Sequence, residues 1–158
     1  MIRNANMDDL GEILKIYAIA RKVMEATGNP NQWGKSRPPY DSIVNDIKEN
    51  RMHVIIDEEE ISGVFSLYDY DKDYDDIIGS WLNNDPYVAI HKIASSGKKG
   101  GVFKRAVEFA KTKSDNVRID THKMNKMMQY LIKKSGFKYC GIVYIDGELE
   151  RLAYQLVK

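Results

Sequence analysis

Apolar positions change their period several times along the chain, and each change marks an element. Ile2-Arg3-Asn4-Ala5 reads as a short strand, after which Asn6 or Asp8 can cap a helix. Leu10, Ile13, Leu14, Tyr17, Ala20 and Met24 recur at helical spacing, which predicts one amphipathic helix over 8–27, stopped by Gly28-Asn29-Pro30. A loop follows to Pro39. Ile43, Val44 and Ile47 form the stripe of a second helix that opens at Asp41 or Ser42 and ends near Asn50. Residues 52–56 and 61–70 read as strands, and the charged turn at 57–60 makes them a hairpin. Residues 77–82 lead into the turn Asn83-Asn84-Asp85-Pro86. Residues 87–94 are apolar apart from His91 and Lys92, as a central strand covered on both faces would be. Next come a helix over 101–113 and a strand over 116–121. Thr121 or Asn125 opens a further helix, with Met124, Met127, Met128, Leu131 and Ile132 as its apolar face and Gly136 at its end. Two last strands, 137–145 and 150–157, join across Asp146-Gly147.

The predicted order is therefore βααβββαβαββ. Two strand–helix–strand crossovers near the C-terminal end call for parallel pairing there, and the hairpins call for antiparallel pairing. The expected fold is α/β: a central mixed sheet in one domain over 1–158, with helices on both faces.

Composition adds bounds. The 158 residues are 43% apolar and 30% charged, with a net charge of +1, which describes an ordinary globular chain. The two halves differ. Residues 1–80 hold 9 Lys/Arg and 16 Asp/Glu, a balance of −7; residues 81–158 hold 15 and 7, a balance of +8. The basic half suits an anion and the acidic half a cation. Cys140 is the only cysteine, so no internal disulfide forms, and its apolar neighbours mark it as a buried thiol. No apolar run reaches the ~18 residues of a membrane span, and residues 1–9 lack a secretory pattern. The expected location is the cytoplasm, with no membrane partner.

Chemistry concentrates after the central strand. Gly97, Gly100 and Gly101 let backbone N–H groups approach a ligand, and a helix start beyond them leaves its first N–H groups unpaired. That is an anion seat, and Lys98 and Lys99 add charge there. No Gly-Lys-Ser/Thr closes it as a nucleotide loop, and the glycine spacing is wrong for a dinucleotide site. The acidic run at 69–76 reads as a solvated loop at a hairpin end; it lacks the glycine and the distant glutamate of a calcium loop. No His/Cys cluster has zinc spacing, so no metal is expected.

In its element order, and in three segments, the chain resembles the GNAT superfamily of N-acetyltransferases. The segments are Ile93-Ala94-Ser95-Ser96-Gly97-Lys98-Lys99-Gly100-Gly101-Val102, Asn125 with Gly136-Phe137, and the opening Ile2-Arg3-Asn4-Ala5 with Asp8-Asp9-Leu10. The resemblance implies acetyl-CoA as cofactor. Its pyrophosphate would lie on the N–H groups of Lys98, Lys99, Gly100, Gly101, Val102 and Phe103. Its pantetheine would run along the backbone of Ile93 and Ala94 beside Ser95 and Gly97, and Asn125 would touch it from the fourth helix. Two departures stand out: Gly97 takes the place of the family's Gln or Arg, and Ile132 takes that of the tyrosine that protonates the leaving thiolate. Tyr130 lies about 200° round the helix from Ile132.

An attacking amine needs a base. His91, beside the cofactor strand, is the first candidate and His122 the second, while His53 reads as structural. Trp33, Tyr68, Trp81 and Tyr144 could surround a small-molecule or peptide amine acceptor. The expected activity is acetyl transfer from acetyl-CoA to a primary amine by direct attack on the thioester, by a monomer or homodimer. A non-catalytic CoA-binding module is the alternative. Nucleic-acid binding through the basic half lacks any recognition motif, so no nucleic-acid partner is expected.

Overall fold

The computed structural model describes residues 1–34 and 36–158. Its N-terminal strand β1 (Ile2–Asn4) ends in a capping box: the Asn6 side chain accepts from the following turn while Asp9 accepts the Asn6 N–H. Arg3 forks onto the same Asp9 at 2.8 and 2.9 Å, which ties the strand to helix α1 (Leu10–Ala26). Helix α2 (Tyr40–Lys48) and the hairpin of β2 (Met52–Asp57) and β3 (Glu60–Tyr68) follow. A short turn of helix at Lys72–Tyr74 and the two-residue strand β4 (Ile78–Gly79) precede the central strand β5 (Val88–Ser95). Then come α3 (Val102–Lys111), β6 (Asn116–Thr121), α4 (Lys126–Lys134), β7 (Lys138–Ile145) and β8 (Leu149–Val157).

All eight strands form one sheet in the order β1-β2-β3-β5-β6-β8-β7-β4. The mixed α/β architecture agrees with the sequence reading, and β4 is an added edge. One expectation is corrected. Among the described residues only β5 and β6 pair in parallel; the second crossover, through α4, does not return to the neighbouring position. The β7–β8 hairpin folds back so that β8 lies antiparallel to β6 from Asn116↔Val157 to Thr121↔Leu152, between β6 and β7.

Helices cover both faces. Ile13, Ile16 and Tyr17 of α1 and Ile43 and Ile47 of α2 bury Val54, Val64 and Ala94. On the other face, Phe103, Ala106, Val107 and Ala110 of α3 and Ile132 of α4 bury Ile55, Phe65, Ile90, Val117 and Ile119. Met124 and Met127, expected on the apolar face of α4, are 44% and 66% exposed, because the helix starts only at Lys126 and turns Met127 outward. Ile90 and Ala94 lie an even number of residues apart yet face opposite layers. A bulge explains this: Lys92 adopts φ +54°, and three residues of β5 from His91 to Ala94 span two of β3 from Ser66 to Val64. No helix among the described residues is long and apolar enough to cross a membrane.

Candidate active site

The bulge parts the sheet. β5 and β6 pair only at Val88↔Val117 and Ala89↔Arg118, although they run on to Ser95 and Thr121. Past Ala89 the β6-facing backbone of β5 has no strand beside it. Here a cleft of about 720 Å³ opens at the carboxyl ends of the two parallel strands, where open α/β sheets bind ligands. Trp33 and Arg37 from the α1–α2 loop, Met128 from α4 and Asp146 from the β7–β8 turn also line it.

The glycine loop ends at one side of this parting. Gly101 caps α3 at φ +76°, a conformation L side chains rarely adopt. Gly97 and Lys98 donate their N–H groups to the Ser95 and Ser96 hydroxyls. Among the described residues, the N–H groups from Lys99 to Lys104 have no acceptor within the chain; the helix ladder begins with Arg105 N–H to Gly101 O at 3.0 Å. Val102 and Phe103 bury their side chains in the core, so what they offer the loop is backbone. Lys98 and Lys99 reach back to Glu60 and Glu58 at 3.5 and 3.7 Å, so carboxylates partly offset the charge they were expected to add. This donor set suits a pyrophosphate, whose oxygens would satisfy N–H groups that the fold leaves open.

His91 projects into the cleft among groups from three elements. Its Nε2 lies 2.8 Å from Asp71 Oδ2, off the line of an aligned hydrogen bond, and its Nδ1 lies 3.8 Å from Asp120 Oδ2. Tyr68 and Tyr74 pack on the ring at centroid distances of 4.9 and 5.7 Å. Asp71 comes from the acidic run, which is therefore more than a solvated loop. Its carboxylate accepts Asp73 N–H at 2.9 Å and so caps the short helix that drives Tyr74 fully into the interior. The Tyr74 hydroxyl donates to Asp120 at 2.6 Å. Burial pushes the Asp120 carboxyl above its usual range, against the opposing pull of His91 and Tyr74. Burial also works against the Asp71 carboxylate, but His91 holds it below its usual range.

Beneath His91 lies a second polar group. Asp46 of α2 is wholly buried and accepts from Lys92 Nζ (2.9 Å), Tyr68 (2.7 Å), Ser66 (2.8 Å) and Arg51 (3.1 Å). Burial opposes its ionisation, but Lys92 and these hydrogen bonds hold it below the usual range. Tyr17 donates to Lys92 O at 2.7 Å, so α1 and α2 both grip the bulge.

Of the expected acceptor residues, Trp33 and Tyr68 line the cleft and two others do not. Trp81 turns onto Tyr74, donates to its carbonyl at 2.9 Å and stacks with Arg118 beside a separate, smaller hollow. Tyr144 lies outside the cleft because its neighbour Val143 takes the inward position on β7. His122 is not among the residues lining the cleft: its Nδ1 accepts Met124 N–H at 3.0 Å in a local turn. His53 is buried and stacked on Phe65, as a structural histidine would be. Ile132 is fully buried, and Tyr130 is 59% exposed on the outer side of α4.

Asn125 caps α4, accepting Met128 N–H at 3.0 Å, and donates to Gln32 Oε1 at 3.0 Å. Gln32 is one of the residues the sequence reading missed. Its Oε1 also receives Asn29 Nδ2 (3.1 Å), Thr121 Oγ1 and His122 N–H (both 3.3 Å), and its carbonyl receives Arg151 Nη2 at 2.7 Å. It thereby fastens the α1–α2 loop to the end of β6. Asp71, Asp120 and Arg151 were missed too. The available signal was a charged residue next to an apolar one within a strand, as with Asp120 after Ile119 and Arg151 before Leu152.

A mixed sheet parted at its one parallel pair, with open N–H groups at the next helix, defines the GNAT class of acetyltransferase fold. A GNAT-family acetyltransferase from Streptococcus agalactiae is 30% identical, with 100% of this chain and 95% of that one covered at a TM-score of 0.87. The chain belongs to the GNAT family of acetyltransferases. Similar in fold are a GNAT-family acetyltransferase from Listeria monocytogenes (19% identity, 100% and 94% covered, TM-score 0.73) and a Bacillus subtilis acetyltransferase solved in complex with CoA (17%, 100% and 97%, 0.63). No family model and no curated protein matches the sequence.

Proposed function

We propose that the protein is an acetyl-CoA-dependent N-acetyltransferase acting on the primary amine of a small-molecule or peptide acceptor, with His91 as base. The observation that carries this reading is the juxtaposition at the parted strands: backbone of β5 without a β6 partner, an open run of N–H groups from Lys99 to Lys104, and His91 facing the same cleft. The CoA bound to the Bacillus subtilis protein of this fold supports the same cofactor here.

Acetyl-CoA, when bound, supplies a thioester carbonyl as acyl donor. Residues 99–104 would hold its pyrophosphate through backbone N–H groups, and Ile93 and Ala94 its pantetheine, like an added strand. His91 takes the proton that the ammonium must lose before attack. Asp71 and Asp120, on either side, hold the imidazole ring toward the cleft and balance the charge it gains. A carbon–nitrogen bond forms, the carbon–sulfur bond breaks, and the thiolate leaves with a proton. With Ile132 buried in the core, that last proton comes from a different group from the family's tyrosine.

Calorimetry with acetyl-CoA is the first test, and absence of binding at millimolar cofactor overturns the reading. Thiol release with an amine panel then separates an enzyme from a CoA-binding module. His91→Ala is expected to lose about 10²–10⁴-fold in turnover and to keep cofactor affinity. Unchanged turnover in this variant across pH 6–9 would remove His91 as base.

A further inference from the structure

Arg151 is 6% exposed and lines the cleft, yet no carboxylate lies within hydrogen-bond reach of it. Its Nη1 and Nη2 donate to the carbonyl oxygens of Glu150 (3.0 Å) and Gln32 (2.7 Å), which fix the guanidinium without neutralising it. Its Nε is 4.0 Å from Asp120 Oδ1. A buried cation that is held but not paired is costly unless an anion completes it. Arg37 stands close by on the α1–α2 loop. One of its nitrogens bonds Asp146 at 2.9 Å; its Nε and Nη1 have no acceptor among the described residues. Burial lowers the Arg151 guanidinium below its usual range; Asp120 opposes this, and the charge of Arg37 adds to it. Asp120 spans the short distance between the two halves of the site, with one oxygen 4.0 Å from Arg151 and the other 3.8 Å from His91.

Resting on the N-acetyltransferase reading, we infer that the acceptor is a free α-amino acid, with its carboxylate on Arg151 and Arg37 and its amine toward His91 and Asp71. The remaining charges agree. Lys92 and Arg51 are taken up by Asp46, and Lys72 lines the cleft on the same short turn as Asp71, so the two guanidiniums mark one end of the cleft and His91 with Asp71 the other. A diamine would bring its second cation against two guanidiniums. The Arg37–Asp146 bridge joins the α1–α2 loop to the β7–β8 turn at the rim, which favours a small acceptor over a protein tail.

The test uses the twenty standard L-amino acids, the carboxamide of each, and spermidine. Thiol release from acetyl-CoA is followed, together with calorimetric binding to the CoA-saturated protein. At least one amino acid is expected to exceed its carboxamide about 10-fold or more in kcat/KM and in affinity, and Arg37→Gln is expected to bring that ratio to about threefold or less, mainly through KM. Carboxamides equal to the acids, a preference for spermidine, or no amino acid bound in calorimetry would overturn the inference. Turnover of amines without carboxylate preference would leave the N-acetyltransferase reading standing. Amino-acid binding without any thiol release would remove that reading and keep the ligand class.

Discussion

Removing one oxygen, in Tyr74→Phe, tests how the candidate site is held together. The Tyr74 ring is fully buried against Trp81 and His91, and those contacts survive the substitution. What is lost is the 2.6 Å hydrogen bond to Asp120, a carboxylate that also faces His91 at 3.8 Å and Arg151 at 4.0 Å. A hydrogen bond to a charged group is worth about 1.5–3 kcal/mol. At about 2–4 °C per kcal/mol for a chain of this length, the melting temperature should fall by about 3–12 °C. Asp120→Asn should act in the opposite direction near neutral pH. Burial raises the Asp120 carboxyl, so the native state binds its proton more tightly than the unfolded chain does. The stability this group contributes is present below the unfolded value near 3.9 and is lost as pH rises through the folded value. The amide, which cannot ionise, avoids that loss; its advantage should appear at neutral pH and vanish in strong acid. Because the amide oxygen of Asp120→Asn can still accept from Tyr74, the cycle is closed with calorimetric melts of the parent, Tyr74→Phe, Asp120→Ala and their double variant. A coupling below about 0.5 kcal/mol would refute the hydrogen bond as the cause. A lower melting temperature for Asp120→Asn at pH 7 would show that His91 and Arg151 outweigh burial.

Three further outcomes are expected. Gly63→Ala puts a Cβ 2.7 Å from Val102 Cγ1 and 3.3 Å from Ile55 Cδ1. The overpacking should cost about 1–3 kcal/mol in thermal melts. Because Val102 opens α3, the same change should weaken acetyl-CoA binding in calorimetry. Gly101→Ala meets no atom within 4 Å but must hold φ +76°, so its cost of about 1–2 kcal/mol is backbone strain; relaxing that strain would turn N–H groups of the loop and lower cofactor affinity as well. Burial lowers the His53 imidazole, with Lys113 adding to the effect against the Arg51 carbonyl. Its contribution to stability is therefore present above about pH 6.5 and is lost as pH falls toward the folded value. His53→Phe should flatten melting temperature against pH between about 5 and 7.

Elements set by local pattern were legible in the sequence, and the strand 116–121 was placed to the residue. The Asn125 cap was one of two starts considered for α4, and the observed helix uses it. Strand order was not legible, because nothing local distinguishes β7 beside β6 from β8 beside β6. The bulge was visible only as two polar residues, His91 and Lys92, in an apolar run. His91 was singled out by its place just before the cofactor-binding backbone and by an imidazole suited to proton transfer near neutral pH. The interruption could not say that Lys92 would turn to φ +54° and swing toward Asp46, which is 46 residues away. Trp81 and Tyr144 misled for the same reason: an aromatic residue near a strand end has two faces to choose from, and Tyr74 and Val143 decide the choice.

The far wall of the cleft depends on residues that look like surface when taken one at a time. Asp71 belongs to a run of five aspartates within eight residues, and composition alone assigns the whole run to water. Its inward turn follows from two short-range facts: an aspartate that caps a turn of helix, and a tyrosine three residues on that is wholly buried. Arg151 and Asp120 likewise sit in interior strands of the sheet, β8 and β6, so their charges are carried inward with it. Burial then leaves each of them short of a full partner: Asp120 is pushed toward protonation, and Arg151 hydrogen-bonds carbonyl oxygens, with Asp120 no nearer than 4.0 Å. A fold selected for stability alone would replace such a pair with apolar residues. Their place beside His91, in the cleft between the parted strands, fits the acceptor proposed above.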